Sequence, residues 1–196
     1  MKDLYQVLDN KLLEALANLH TITVAVVTAV NDTTIDCQPV INRQVNGESK
    51  RLPVFIEVPP IFMQGGGSYT AHPVTVGDYC LLMFSERCYD NWYAGSDFLS
   101  PLEMRMHDYS DGFALVGINP QASAIQIPDV ITQIGDTFQQ GDMTITGDLT
   151  VDGDITCTGT IKAGGDVVAD SEGTAISLLT HVHTGNLGAR TSPPTP

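Results

Sequence analysis

Basic side chains are scarce in this chain of 196 residues: nine Lys and Arg stand against 23 Asp and Glu, a net charge of −14. The nine are scattered from Lys2 to Arg190 without forming a patch, so phosphate backbones are repelled and nucleic acid is not an expected partner. The same charge argues against a binder held to anionic lipid by basic attraction. Nothing approaches 18 consecutive apolar residues, and the N-terminus lacks the basic-then-apolar order of a signal peptide. The chain is therefore expected to be made as a soluble cytoplasmic protein and, if it crosses a membrane, to be pushed across. Only four cysteines occur (Cys37, Cys80, Cys88, Cys157), none in a Cys-x-x-Cys pair, which predicts reduced, buried thiols, Cys157 at an inward position of the repeat described below. Catalytic signatures are missing as well. There is no Gly-x-Ser-x-Gly elbow, no His-Glu-x-x-His and no acid pair in a pocket-forming context, so no enzymatic activity is expected. Gly65-Gly66-Gly67-Ser68 is followed by no Gly-Lys-Ser/Thr and reads as a flexible loop, while His20, His72 and His107 stand isolated.

What the chain does have is a six-residue period in its last third. Glycines fall at Gly141, Gly147, Gly153, Gly159 and Gly165, and the residue two past each is apolar: Met143, Leu149, Ile155, Ile161 and Val167. Four past each glycine comes Ile145, Val151, Cys157, Ala163 or Ala169, and directly after it Asp142, Asp148, Asp154, Thr160 or Asp166. Period-two alternation punctuated by glycine describes short strands joined by tight corners, a β-helix or prism. A single-chain hexapeptide helix needs three hexads per coil, so these hexads would leave most of their apolar side chains in water. Three chains around a threefold axis close a shared interior. Residues 141–176 are thus read as one third of a trimeric, intertwined triple-stranded β-helix. At about 18 residues per turn and roughly 4.8 Å per strand spacing, the hexads rise about 24 Å, a short stiff rod. The rival reading, a hexapeptide-repeat acyltransferase, needs longer stacked coils.

The rod runs into Ser177-Leu178-Leu179-Thr180-His181-Val182-His183-Thr184-Gly185, and residues 177–196 form the expected apex. Residues two apart on a strand face one side, so His181 and His183 point together. A threefold axis multiplies them to six imidazoles. That set suits one octahedral first-row ion, Fe(II), shared by the trimer, whereas structural zinc is almost always four-coordinate.

Upstream, residues 1–20 hold an amphipathic helix striped by Leu4, Leu8, Leu12, Leu16 and Leu19, with Asp3 available as its cap. The stripe can pack on its own domain, bundle with its copies or dock on a surrounding ring. From 21 to 120 five strands are predicted (23–30, 34–41, 52–58, 74–84 and 112–118), enough for a small closed barrel, with Asn31-Asp32 as a hairpin turn. Trp92 with Tyr89 and Tyr93 would close the barrel or a subunit contact, the alternative being a sugar or base platform. Residues 121–140 read as connecting strands.

This layout, together with Pro73-Val74-Thr75-Val76-Gly77-Asp78-Tyr79-Cys80-Leu81-Leu82-Met83-Phe84-Ser85-Glu86-Arg87 and the following Asp90-Asn91-Trp92 and Gly95, resembles the central baseplate spike of contractile-tailed bacteriophages, the baseplate assembly protein V type. The resemblance covers nearly the whole chain. It implies an oligonucleotide/oligosaccharide-binding (OB-fold-like) barrel, then a trimeric β-helix whose apex binds iron through His181 and His183. It further implies baseplate hub and tail tube partners, a place at the tail baseplate tip of the virion, assembly in the host cytoplasm, and mechanical piercing of the host outer membrane. A tail-fibre or receptor-binding tip would share the trimer, but no Trp, Tyr or Phe follows Phe138 to form a sugar-binding surface. The spike of a phage-derived contractile injection system would share every feature.

Overall fold

A computed structural model describes residues 3–45, 47–96, 100–171 and 174–192. It divides into two compact units, Met1–Thr132 and Gln133–Pro196.

In the first unit, among the described residues, α1 (Leu4–Ala17) precedes nine strands: β1 (Ile22–Val30), β2 (Ile35–Pro39), β3 (Arg43–Val45), β4 (Glu48–Lys50), β5 (Phe55–Val58), β6 (Met63–Gly65), β7 (Ser68–Thr70), β8 (Tyr79–Phe84) and β9 (Gly112–Ile118). Asp3 holds the N-cap position of α1 but makes no side-chain cap bond. Five strands form one sheet in the order β5-β2-β1-β8-β9, every neighbour antiparallel. The sheet curls into a half-barrel. After β5 the chain reaches the far edge, where Ala114 N donates to Pro59 O (3.0 Å) and Ile61 N donates to Ala114 O (2.8 Å).

Alternation builds the core. Along β8, Cys80, Leu82 and Phe84 point inward while Tyr79, Leu81 and Met83 lie at intermediate depth. They meet Ala25 and Val27 of β1, Ile35 and Cys37 of β2, Val58 and Ala114. Burying a side chain such as Leu82 stabilises the fold by about 1.5–3 kcal/mol. Cys37 Sγ and Cys80 Sγ stand 3.7 Å apart, a van der Waals contact between thiols rather than a disulfide. Cys88 is also buried, and Cys157 is exposed. Tyr89 lies against Phe113 (ring centroids 4.6 Å) beside the short helix α2 (Asp90–Tyr93), whose Trp92 stays exposed. His20 stacks on Tyr109 at 3.6 Å and His72 meets the edge of Phe62 at 5.7 Å.

Two local expectations change. Gly65-Gly66-Gly67-Ser68 is the tip of the β6–β7 hairpin, not a flexible loop. Gly66 and Gly67 sit at φ +58° and +81°, the consecutive left-handed pair that a two-residue hairpin turn demands. Residues 74–78 are not strand: Thr75 N donates to Asp78 Oδ2 (2.8 Å) and Asp78 N to Thr75 O (3.2 Å), closing a turn before β8 begins. The Asn31 turn is present, with Asn31 N donating to Thr34 O at 2.9 Å.

A 3-10 turn, Gln121–Ser123, follows β9, and among the described residues no strand pairs between Ile118 and Val168. In the second unit the backbone bends at Gly135, Gly141, Gly147, Gly153, Gly159 and Gly165, with open chain between. The corner period therefore begins one hexad before Gly141. Met143, Leu149, Ile155 and Ile161 are 66–69% exposed within the single chain, a near-constant value repeated every six residues. Strands β10 (Val168–Ser171) and β11 (Thr174–Ser177) then form an antiparallel hairpin.

Candidate metal-binding apex

The β10–β11 hairpin delivers the chain into a turn over residues 178–180, and side chains of the last hexad and of Ser177 fix that turn. Leu178 N donates to Val167 O (2.8 Å), Leu179 N to Asp166 Oδ1 (3.0 Å) and Thr180 N to Ser177 Oγ (2.9 Å). Hydrogen bonding from Ser177 holds the Asp166 carboxyl below its ordinary range. Asp166 is the acidic residue after the last corner glycine, so the repeat itself anchors the turn that presents the histidines.

His181 is half-buried and His183 exposed, and their rings lie 5.1 Å apart at 87°. The pair is thus brought together, as the His-x-His spacing predicts. His181 Nδ1 lies 2.9 Å from Ser177 O and 3.2 Å from Leu178 O. Carbonyl oxygens only accept, so Nδ1 is the donor and Nε2 is the ring nitrogen left to face a ligand. An imidazole that donates one nitrogen to a backbone carbonyl is the usual posture of a metal ligand, with tautomer and ring direction fixed. The donor chemistry fits an imidazole-binding ion at Nε2.

A second clamp went unforeseen in the sequence. His183 N donates to Thr191 Oγ1 (2.9 Å), Thr191 N donates back to His183 O (2.8 Å), and Thr184 bridges Arg190. The return is made by a 3-10 turn, Asn186–Gly188, in which Leu187 (φ +67°) and Gly188 (φ +79°) take left-handed angles. The Asn-Leu-Gly triplet was the available signal, since Asn and Gly cluster where a chain reverses.

Elsewhere, among the described residues, one further set of possible ligands converges: Cys88, Asp90 and Asp111. A cation of the chain already fills it. Arg105 Nε and Nη2 donate to the two oxygens of the fully buried Asp111 at 2.7 and 2.9 Å, and Nη2 and Nη1 reach Asp90 (2.8 Å) and Glu103 (2.9 Å). Hydrogen bonding to Arg105 holds the Asp90 carboxyl low. This network fastens the loop before β9. A cleft of about 320 Å³ beside β5, lined by Phe55, Glu57, Tyr89 and Tyr109, contains the lone carboxylate Glu57 and no partner acid.

No curated protein matches the chain. Residues 22–117 match the family described as Phage protein Gp138 N-terminal domain. The matched segment opens with β1 and ends within β9, so it is the half-barrel alone, and it marks the chain as a phage protein.

Proposed function

We propose that three copies of this chain form the central spike of a contractile phage tail, which is driven mechanically through the host outer membrane. One observation carries the reading: apolar residues recur every six positions, 66–69% exposed, on a backbone that bends at each glycine and, from Met143 to Ile161, pairs with no strand of its own chain among the described residues. A soluble chain does not maintain such a row in water, and a threefold winding of residues 141–176 would bury it in a common interior. The phage-protein match over the half-barrel and the strand order of that sheet, a five-stranded partly open barrel, support an OB-type domain. In this reading the barrel seats the spike on the baseplate hub at the front of the tail tube. Residues 121–140 gather the three chains, and the rod projects from the baseplate tip of the virion.

The apex would be a staple. His181 and His183 from each chain would offer six imidazole nitrogens, a set that suits Fe(II) at one ion per trimer. The bound ion would supply a coordination cross-link between three C-terminal ends. The chain's own residues do the rest: Ser177 and Leu178 fix the His181 tautomer, and Thr191 holds the His183 backbone in place. Terminal segments are the least stable part of a fold, so the clamp lies where fraying would begin. Six protein ligands leave no open coordination position for a substrate, and the reading includes no catalytic step.

Light scattering and elemental analysis on one purified sample test this directly. The expected result is a trimer with about one iron per three chains. A metal-free monomer would overturn both the rod and the apex.

A further inference from the structure

Strand β5 carries a bulge, and the residue in it is an unusual one for its backbone. Ile35 faces Val58 and Cys37 faces Phe55, so Ile56 and Glu57 together oppose the single residue Asp36. Glu57 takes φ +55°, a left-handed angle that glycine adopts without penalty and an L side chain does not. The opposing carboxylate holds it there, since Glu57 N donates to Asp36 Oδ1 at 3.1 Å. Bulges re-aim side chains, and a strained residue whose backbone suits glycine points to a use for the side chain itself.

That side chain borders the cleft of about 320 Å³ between β5 and the loop that precedes β9. Phe55 and Ile56 line it from β5, and Tyr89, Tyr109 and Ser110 line it from the loop. Two of these polar side chains are already engaged: Tyr89 Oη donates to Gly112 O (2.9 Å), and Ser110 bonds to the Asp108 carboxylate through its backbone N–H (2.9 Å) and its hydroxyl. Among the described residues that line the cleft Glu57 is the only charged one, and no described Lys, Arg or His pairs with it. A sugar needs several hydrogen-bonding partners, which this wall lacks, and a phosphate would meet the Glu57 charge. Apolar and aromatic walls with one carboxylate suit a cation on an apolar stem. Arginine has that form, because its guanidinium donates two parallel N–H bonds to a carboxylate and lies flat on an aromatic ring. We propose that the β5 cleft is a docking site for an arginine side chain of a protein partner, with Glu57 as its anchor. The proposal uses the half-barrel alone and depends on neither the trimer nor the metal.

Saturation-transfer difference NMR, which detects weak ligands on large proteins, tests it on the full-length chain. The probes are the tripeptide acetyl-Gly-Arg-Gly-amide and the same peptide with citrulline in place of arginine, which keeps the shape and removes the charge. The parent should bind the arginine peptide about tenfold more tightly than the citrulline peptide, the ratio expected of a hydrogen-bonded charge pair. Glu57→Gln, which keeps the length of the side chain, should abolish that ratio. Glu57→Gly should abolish it too, yet be no easier to unfold in denaturant than the parent, because the backbone angle suits glycine. Equal binding of the two peptides by the parent, or none, overturns the site, and so does a ratio that survives Glu57→Gln. A Glu57→Gly chain that unfolds at clearly lower denaturant also overturns it, since the side chain would then be there to hold the fold.

Discussion

The half-barrel and the hexad repeat use the same residue types in the same alternation, yet one buries them and the other does not. Leu82 of β8 has no exposure, while Leu149, two residues past its corner glycine, is 67% exposed. The difference lies in whether the chain itself supplies a neighbouring strand. β8 is flanked by β1 and β9 of its own chain, whereas the hexads before β10 have no strand partner among the described residues. Alternation specifies that a segment has an inner face but says nothing about whose chain supplies the opposite wall.

The largest expected effect breaks the repeat while sparing the half-barrel. Leu149→Asp with Ile155→Asp would place charges from all three chains inside a dry shared interior, at a desolvation cost no ion pair offsets. Native mass should fall from three chains to one, with the near-ultraviolet circular dichroism of the aromatic half-barrel unchanged. An unaltered mass would mean that these positions do not face a common core. The converse substitution, Leu82→Ala, should destabilise the half-barrel by about 2–5 kcal/mol in denaturant titration and leave the metal content untouched. Next in size, His181→Ala with His183→Ala should abolish iron binding and lower the unfolding temperature of the rod, while denaturation of the half-barrel stays where it was. Full iron occupancy in that double variant would remove both histidines from the ligand set.

Legibility in the sequence follows the same division. The hexad corners could be read because glycine recurs at fixed spacing, and β1, β2, β5, β8 and β9 because runs of branched and aromatic residues mark them. The hairpins β3–β4 and β6–β7 could not, since three-residue strands are too short for a period of two to show. Val74-Thr75-Val76 looked like strand because two of its residues are Val and one is Thr, all β-branched, but the Asp78 carboxylate competes for the backbone N–H of Thr75 and wins the local contest. In the C-terminal turn, the closeness of His181 and His183 was legible and the groups that hold them were not. The Ser177 and Leu178 carbonyls and Thr191 act through backbone groups or a hydroxyl, which no residue-type pattern singles out. Arg105 was hidden for a different reason: its carboxylates come from α2, from the loop and from just before β9, and only the fold brings them to one guanidinium.

The smallest effect sharpens the comparison from the half-barrel's side, by asking whether its aromatic packing is as self-sufficient as its geometry implies. Burial, with the neighbouring Asp111 charge second, pushes the Tyr89 phenol up to about 12, and its hydroxyl donates to Gly112 O at 2.9 Å. In the unfolded chain the same phenol titrates near its ordinary value of about 10. Below that pH the group is neutral in both states and its contribution is complete. Between about 10 and 12 the unfolded chain gives up the proton and the folded chain keeps it, so stability falls as pH rises. Tyr89→Phe should make the unfolding temperature decline less steeply over that window, at the cost near neutrality of one hydrogen bond, about 0.5–1.5 kcal/mol. Some slope should survive in the variant, because burial also raises the Tyr109 phenol. A variant that declines as steeply as the parent would show that the Tyr89 hydroxyl is reached by solvent in the assembled protein.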